Sequence, residues 1–227
     1  MLPPHPPRRL AAGSLVTRRV DSPFGPLTIV GSTAGLRAIL WPRDDPARAG
    51  LANVPLRPGS VDSLEEAAHQ LDDYFAGTRT TFDLPLDLHG TAFQLAAWQA
   101  LAEIPYGGTR TYAEQAARLG RPAAVRAVGT ANGRNPLAIV LPCHRVVGSD
   151  GALRGFAGGL DVKASLLACE RVQRTGLATG ASRGGTLGEP GRARWGGSGS
   201  LNPKSAPAGP NAVRGTVSSG LGLRTRC

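Results

Sequence analysis

One stretch constrains this chain more than any other: Leu137-Ala138-Ile139-Val140-Leu141, stopped by Pro142. Five apolar residues in a row read as a short buried strand, and Pro142 ends it because proline cannot extend a central ladder. Cys143 and His144 follow side by side at the end of that run. A thiol attacks as its thiolate, and an imidazole nearby, directly or through water, can take the proton. A Cys-His pair alone is more often a buried thiol beside a solvated imidazole, so the surroundings must decide.

Upstream, Gly/Pro turns separate Leu15-Val16-Thr17, Leu27 to Gly31 and Leu36 to Trp41, which predicts an antiparallel meander over 14–42. Ser60 to Phe75 reads as a helix with Leu64, Ala67, Ala68, Leu71 and Phe75 on one face. Asp62 or Ser63 is its expected cap and Gly77 its stop. Residues 82–87 form an extended connector. From Thr91 the pattern turns helical, with helices over 93–102, 111–119 and 123–131. Thr111 with Glu114 has capping-box spacing. Helix, Gly120-Arg121 turn, helix is the signature of a helix-turn-helix.

The second helix of that pair is unusual. Ala123, Ala124, Ala127, Gly129 and Ala131 are small, and Arg126 is its one long central side chain. Such a helix either packs in a core with Arg126 at the surface or lies very close to a nucleic-acid backbone. A reader of major-groove base edges would carry several long polar side chains. Beyond Cys143-His144, Gly155 to Gly159 is a glycine-rich loop whose backbone could approach a flat ligand. A last helix is expected over 161–171. Glu170 lies near its C-terminal end, where a carboxylate opposes the helix dipole, which suggests another task for it.

The net charge of +10 is unevenly placed: residues 172–227 hold eight basic residues and one acid, seven of those ten charges. The basic character therefore belongs to the tail and does not argue that the folded part binds nucleic acid. The tail is rich in Gly, Ser, Pro and Arg and lacks the apolar content to fold alone. It could serve as a non-specific DNA-binding arm or have no role. Three cysteines at 143, 169 and 227 make neither a disulfide framework nor a metal site, which points to a reducing cytosol. No run approaches the roughly 20 apolar residues of a membrane span. The first nine residues lack the apolar core of a secretory signal.

Taken together, Ile104-Pro105-Tyr106-Gly107, Thr111-Tyr112, Arg126-Ala127-Val128-Gly129, Asn135-Pro136, Pro142-Cys143-His144-Arg145-Val146, Gly158-Gly159, Lys163, Leu166-Leu167 and Glu170 resemble the O6-alkylguanine-DNA alkyltransferases. The resemblance spans about 14–171 and is strongest from Gly90 to Glu170. It implies an α+β architecture. A disordered leader (1–13) would precede a ribonuclease-H-like α/β domain (14–87). A mainly helical domain (88–171) would carry a winged-helix-like helix-turn-helix and the cysteine, and a disordered basic tail (172–227) would follow. It implies a DNA repair protein that flips O6-methylguanine, and O4-methylthymine, out of duplex DNA and moves the alkyl group irreversibly to Cys143.

The same resemblance assigns roles. His144 would be a base acting through water, with Glu170 on its other nitrogen. Tyr112 would ease rotation of the nucleotide and donate to guanine N3. Arg126 would replace the flipped base as the helix enters the minor groove, with Ala127 and Gly129 allowing close approach. Asn135 would brace the turn before the cysteine, and Arg145 would support the structure. The carbonyls of Cys143 and Val146, with Phe156 and the Ala157 N–H, would line the base pocket. No cofactor or metal is implied, and no obligatory protein partner; the protein would be a cytoplasmic monomer. Ala157 stands where some members carry a serine, leaving only a backbone donor. No cysteine precedes Cys143, so the structural zinc and zinc-thiolate domain of some members are not expected. The alternative is a non-catalytic alkyltransferase-like lesion-binding protein, which lacks the reactive cysteine; Cys143 argues against it.

Overall fold

The computed structural model describes residues 14–180, with side chains through Arg174. The leader over 1–13 and the tail beyond Gly180 lie outside the described residues. Among the described residues, no helix is long and apolar enough to cross a membrane.

The meander is present as β1 (Val16–Val20), β2 (Leu27–Ser32) and β3 (Gly35–Leu40), paired antiparallel in sequence order. A two-residue strand, β4 (Arg57–Pro58), joins the outer side of β1 in parallel. Pro58 suits that edge, where a missing N–H is tolerated. Helix α1 (Asp62–Ala76) lies on the sheet through Leu64, Ala67, Ala68 and Leu71, all fully or nearly fully buried. The expected cap does not form. Val61 occupies that position without a side-chain bond, and Ser63 instead donates its hydroxyl to Ser32 O at 2.9 Å, tying the helix to the end of β2. The extended connector runs beside β3, where Leu36 N–H donates to Pro85 O and Asp87 N–H to Leu36 O.

The second half is helical. Helix α2 (Ala92–Ala102) opens with a Thr91/Gln94 capping box. A strand fragment, β5 (Arg110–Thr111), leads into α3 (Tyr112–Arg118), which carries the expected Thr111/Glu114 box. Gly120, at φ +69°, closes α3, donating to Ala117 O while Arg121 N–H reaches Ala116 O. Any other residue there would be strained, which is why the turn carries glycine. A single 3-10 turn (Pro122–Ala124) precedes α4 (Val125–Gly133). Buried amides lock the motif: Gln115 and Asn132 donate to one another, and Gln115 also donates to Ala97 O. Trp98 Nε1 donates to Ala131 O, holding α4 against α2.

Leu137 to Leu141 is not a strand. It is a series of tight turns, with Leu141 N–H donating back to Leu137 O and Ile139 at φ +81°. The backbone polar groups find local partners rather than a neighbouring strand. Asn135 Oδ1 accepts from Leu137 N–H and Asn135 Nδ2 donates to Leu141 O. A buried apolar run has the same composition in either geometry, so periodicity could not separate them. A positive φ on a β-branched residue stores about 1–3 kcal/mol. Here the cost is borne by a segment whose Leu137, Ala138, Ile139 and Leu141 are buried in the main core. The chain then forms a 3-10 turn (Cys143–Arg145) and β6 (Val146–Val147), parallel to β5.

Helix α5 (Leu160–Gly180) continues well past Arg171, where the last helix was expected to end. Residues 172–180 hold only two glycines and no serine, and the Gly/Ser-rich composition begins beyond them. One hydrophobic core joins the two halves: Leu27, Ile29 and Leu71 belong to the same buried cluster as Trp98, Leu137, Ile139 and Leu166.

Candidate active site

Cys143 opens the short 3-10 turn and is 7% exposed, its N–H donating to Leu141 O. The turns before it are held by Asn135, which bridges both ends of the segment. Asn135 is itself gripped from the first half: Arg48 donates to its carbonyl at 2.6 Å while pairing with Asp44. Burial pushes the Cys143 thiol above its ordinary value; a hydrogen bond to Asn135 and the charges of Lys163 and Arg48 offset this only in part. The resting sulfur is therefore a neutral thiol.

His144 is fully buried. Its Nε2 lies 2.9 Å from Glu170 Oε1, and its Nδ1 has no hydrogen-bond partner among the described residues. Glu170, from α5, is the hub of the site. Oε1 also accepts from Arg145 Nη2 and Tyr74 Oη, both at 2.8 Å, and Oε2 from Arg145 Nε and Gly107 N–H, both at 2.9 Å. Burial alone would raise this carboxyl, but hydrogen bonds and charge from His144 and Arg145 outweigh it and pull it down to about 2. The imidazole moves the other way: burial lowers it, and contact with Glu170 compensates only partly. The Arg145 guanidinium accounts for both directions, since it already pairs with Glu170 and leaves less of that charge's field for His144. The resting state is an ionised Glu170 and a neutral imidazole.

Tyr112 sits at the start of α3, half-buried, its hydroxyl donating to Arg154 O at 3.2 Å. Burial, then the nearby Cys143, raise its phenol. With Ala113, Val125, Arg126, Gly129 and Arg154, it lines a surface cleft of about 390 Å³. Gly129 faces the Tyr112 ring, and a Cβ there would lie 3.9 Å from it. Arg126 and Ala127 are exposed on α4, and the cleft that Arg126 lines does not include Cys143. Val146 O accepts from Lys163 Nζ at 2.6 Å, so its second lone pair alone is left for another donor. Phe156 stands edge-on to both His144 and Trp41, at 6.2 and 5.4 Å between centroids, with Ala157 half-buried beside it. Gly158 lies so close to Trp41 that a Cβ would meet the ring at 2.8 Å, which accounts for the glycine in that loop.

Four positions escaped sequence reasoning. Lys163 stood in the motif without a role; it is fully buried, donates to Val146 O and Arg154 O, and burial lowers its ammonium to about 8. Tyr74, Trp41 and Arg48 lie in the first half, and no local pattern links them to a site formed by the second. Tyr74 does extend the Leu71 face of α1 by one helical step, the single cue to its burial.

Two family models match. One described as the ribonuclease-like domain of 6-O-methylguanine DNA methyltransferase covers 15–88, and one described as its DNA-binding domain covers 92–172. A methylated-DNA–protein-cysteine methyltransferase of Mycolicibacterium paratuberculosis is 49% identical over 156 residues, 68% of this chain and 91% of the relative. One of Methanosarcina barkeri is 46% identical over 154 residues, 66% of this chain and 94% of the relative. The crystal structure of Mycobacterium tuberculosis OGT in complex with DNA superposes with a TM-score of 0.64 at 44% identity, covering 70% of this chain and 94% of that one. With both domain models and relatives matching in order across the sheet, the helix-turn-helix and the Cys143 turn, this chain belongs to the 6-O-methylguanine DNA methyltransferase family.

Proposed function

We propose that this protein repairs alkylated duplex DNA by moving the alkyl group of O6-methylguanine, or of O4-methylthymine, onto Cys143. One observation carries the reading: a buried thiol adjoins an imidazole held through Nε2 by an ionised carboxylate, with Nδ1 left unengaged. That is the arrangement a one-proton transfer from sulfur requires.

The target oxygen lies inside a base pair, so the nucleotide must leave the stack. Helix α4 enters the minor groove, its small residues permitting close approach and Arg126 filling the space of the flipped base. Cys143 Sγ attacks the methyl carbon, forming an S–C bond as the C–O6 bond breaks. The thiol proton passes through a water to His144 Nδ1, and Glu170 stabilises the imidazolium. The bond's electron pair goes to the purine, whose charge a Tyr112 hydrogen bond at N3 offsets before water returns a proton. The thioether cannot be displaced by water, so each molecule acts once. In this reading the protein is a cytoplasmic monomer that needs no cofactor and no protein partner.

The test is stoichiometric. Duplex DNA with a radiolabelled O6-methyl group should label the protein to a plateau of about one methyl per molecule, on the peptide holding Cys143. Label on Cys169 or Cys227, or turnover beyond one, would overturn the proposal. A second prediction concerns α4. Arg126 is exposed, and the cleft it lines with Tyr112 includes neither Cys143 nor His144. Arg126→Ala should therefore slow repair of duplex DNA by about 10²-fold or more while changing reaction with the free alkylated base less than about threefold, since flipping alone costs a few kcal/mol. Equal losses on both substrates would remove the arginine from the flipping step.

A further inference from the structure

The carboxylate of Glu170 is held by donors from its own half of the protein, with one exception. Tyr74, on α1, reaches across 96 positions to place its hydroxyl 2.8 Å from Oε1. It is 2% exposed and sits among Phe75, Phe82 and Tyr106. Packing would be met by phenylalanine; the hydroxyl is the part that needs Glu170.

Oε1 is crowded, since His144 Nε2 at 2.9 Å and Arg145 Nη2 at 2.8 Å share it. A carboxylate oxygen has two in-plane lone pairs, and Arg145 Nε also reaches Oε1 at 3.3 Å, so four donor groups from Tyr74, His144 and Arg145 compete for it. Arg145 spans both carboxylate oxygens, and Gly107 N–H is fixed on Oε2. Tyr74 is thus the one neutral side-chain donor that dilutes the hold of Glu170 on His144.

We infer that Tyr74 is a positioning residue through which the N-terminal domain tempers the grip of Glu170 on His144. The inference rests on the proposed role of His144 as base. Other charges are fixed around the pair: Arg145 and Lys163 face His144, Arg145 faces Glu170, and Arg145 and Tyr106 face Tyr74. Burial and the charge of Glu170 keep Tyr74 protonated, so it acts as a donor throughout the working range. Without its hydroxyl, Oε1 serves fewer donors, the imidazolium is better stabilised, and His144 takes a proton at higher pH.

The experiment is a single-turnover pH–rate profile of methyl transfer from lesion-bearing duplex, using the full chain. Tyr74→Phe should move the acid limb upward by about half a unit to one unit. Tyr74→Met, which also lacks the hydroxyl, is the second variant and should shift the limb the same way if Tyr74→Phe melts below the assay temperature. A limb that stays in place, moves down, or a rate that falls equally at all pH values overturns the inference and leaves Tyr74 a packing residue. His144→Gln separates the two levels. If it retains the wild-type limb, the base assignment fails; if it abolishes the limb while Tyr74→Phe does not move it, only the present inference fails.

Discussion

Serine in place of Cys143 is expected to abolish methyl uptake while leaving a folded protein that still binds lesion-bearing duplex DNA. The physical reason lies in the resting state. Burial holds Cys143 as a neutral thiol and keeps His144 neutral beside it. Attack therefore demands that the nucleophile lose its proton on the way to the transition state. A thiol, with an ordinary value near 8.5, can do so into an imidazole at neutral pH; an alcohol, several units more basic, cannot at a useful rate. The loss of rate is at least about 10⁴-fold, beyond what a missing general base alone would cost. Binding survives because the cleft of Tyr112, Arg126 and Gly129 does not include the sulfur. The measurement pairs label transfer with a gel-shift titration on the same duplex. Transfer by the variant, or binding weakened more than about tenfold, would contradict this division between α4 and the thiol. The variant is in effect the lesion-binding alternative made by one atom, so its behaviour also measures how far Cys143 separates the two classes.

The same neutral pair sets the pH response of the native protein. With His144 as the proposed base, its shift below the ordinary value should keep it available down through mildly acidic pH, so that the rate is expected to decline only where the imidazole becomes charged. The neutral form is favoured by folding, so stability also declines as pH falls below the ordinary histidine value near 6.5.

How much of this was legible depends on the range over which each feature is determined. The Thr111/Glu114 box and the Gly120 turn are set within four residues, and both stand where local spacing placed them. The meander over β1 to β3 likewise follows from alternation and turns. Cys143, His144 and Glu170 were assembled as a group only because the resemblance supplied the pairing, and 26 positions separate His144 from its partner. Where the local signal was ambiguous, it misled. Leu137 to Leu141 has strand composition, but Asn135 satisfies both ends of the segment and leaves no ladder to join. Ser63 has cap chemistry, but Ser32 O offered its hydroxyl a tertiary partner. The contribution of the first half was invisible for the same reason: Tyr74, Trp41 and Arg48 look like ordinary helix, strand and loop residues until the domains meet. Arg145, given a supporting role, proves to be the permanent counter-charge that lets Glu170 stay ionised in the core.

Glu170→Gln tests that electrostatic arrangement most severely. The native carboxylate accepts from Tyr74, His144, Arg145 and Gly107 while fully buried. Glutamine has nearly the same shape but offers one accepting oxygen and an NH₂ that faces donors, and it leaves Arg145 buried without a counter-charge. Removing one partner of such a pair costs about 3–5 kcal/mol. For a domain of this size that corresponds to a Tm lower by about 10 °C, read by thermal denaturation at pH 7. The acid response supplies an independent check. A carboxyl held at about 2 in the fold, against an ordinary value near 4.3 when unfolded, stabilises the protein above the unfolded value. That contribution is lost as pH falls from about 4.3 toward about 2. The variant lacks the titrating group, so the contribution of Glu170 to the gap between the two stability curves must shrink over that interval. Below its melting temperature the variant should transfer methyl groups about 10–100-fold more slowly, because His144 loses both orientation and support for its charged form. A variant as stable as the native protein at pH 7, or a gap that does not close in acid, would mean that Arg145 and His144 are held by packing and that Glu170 is not the charge on which the site depends.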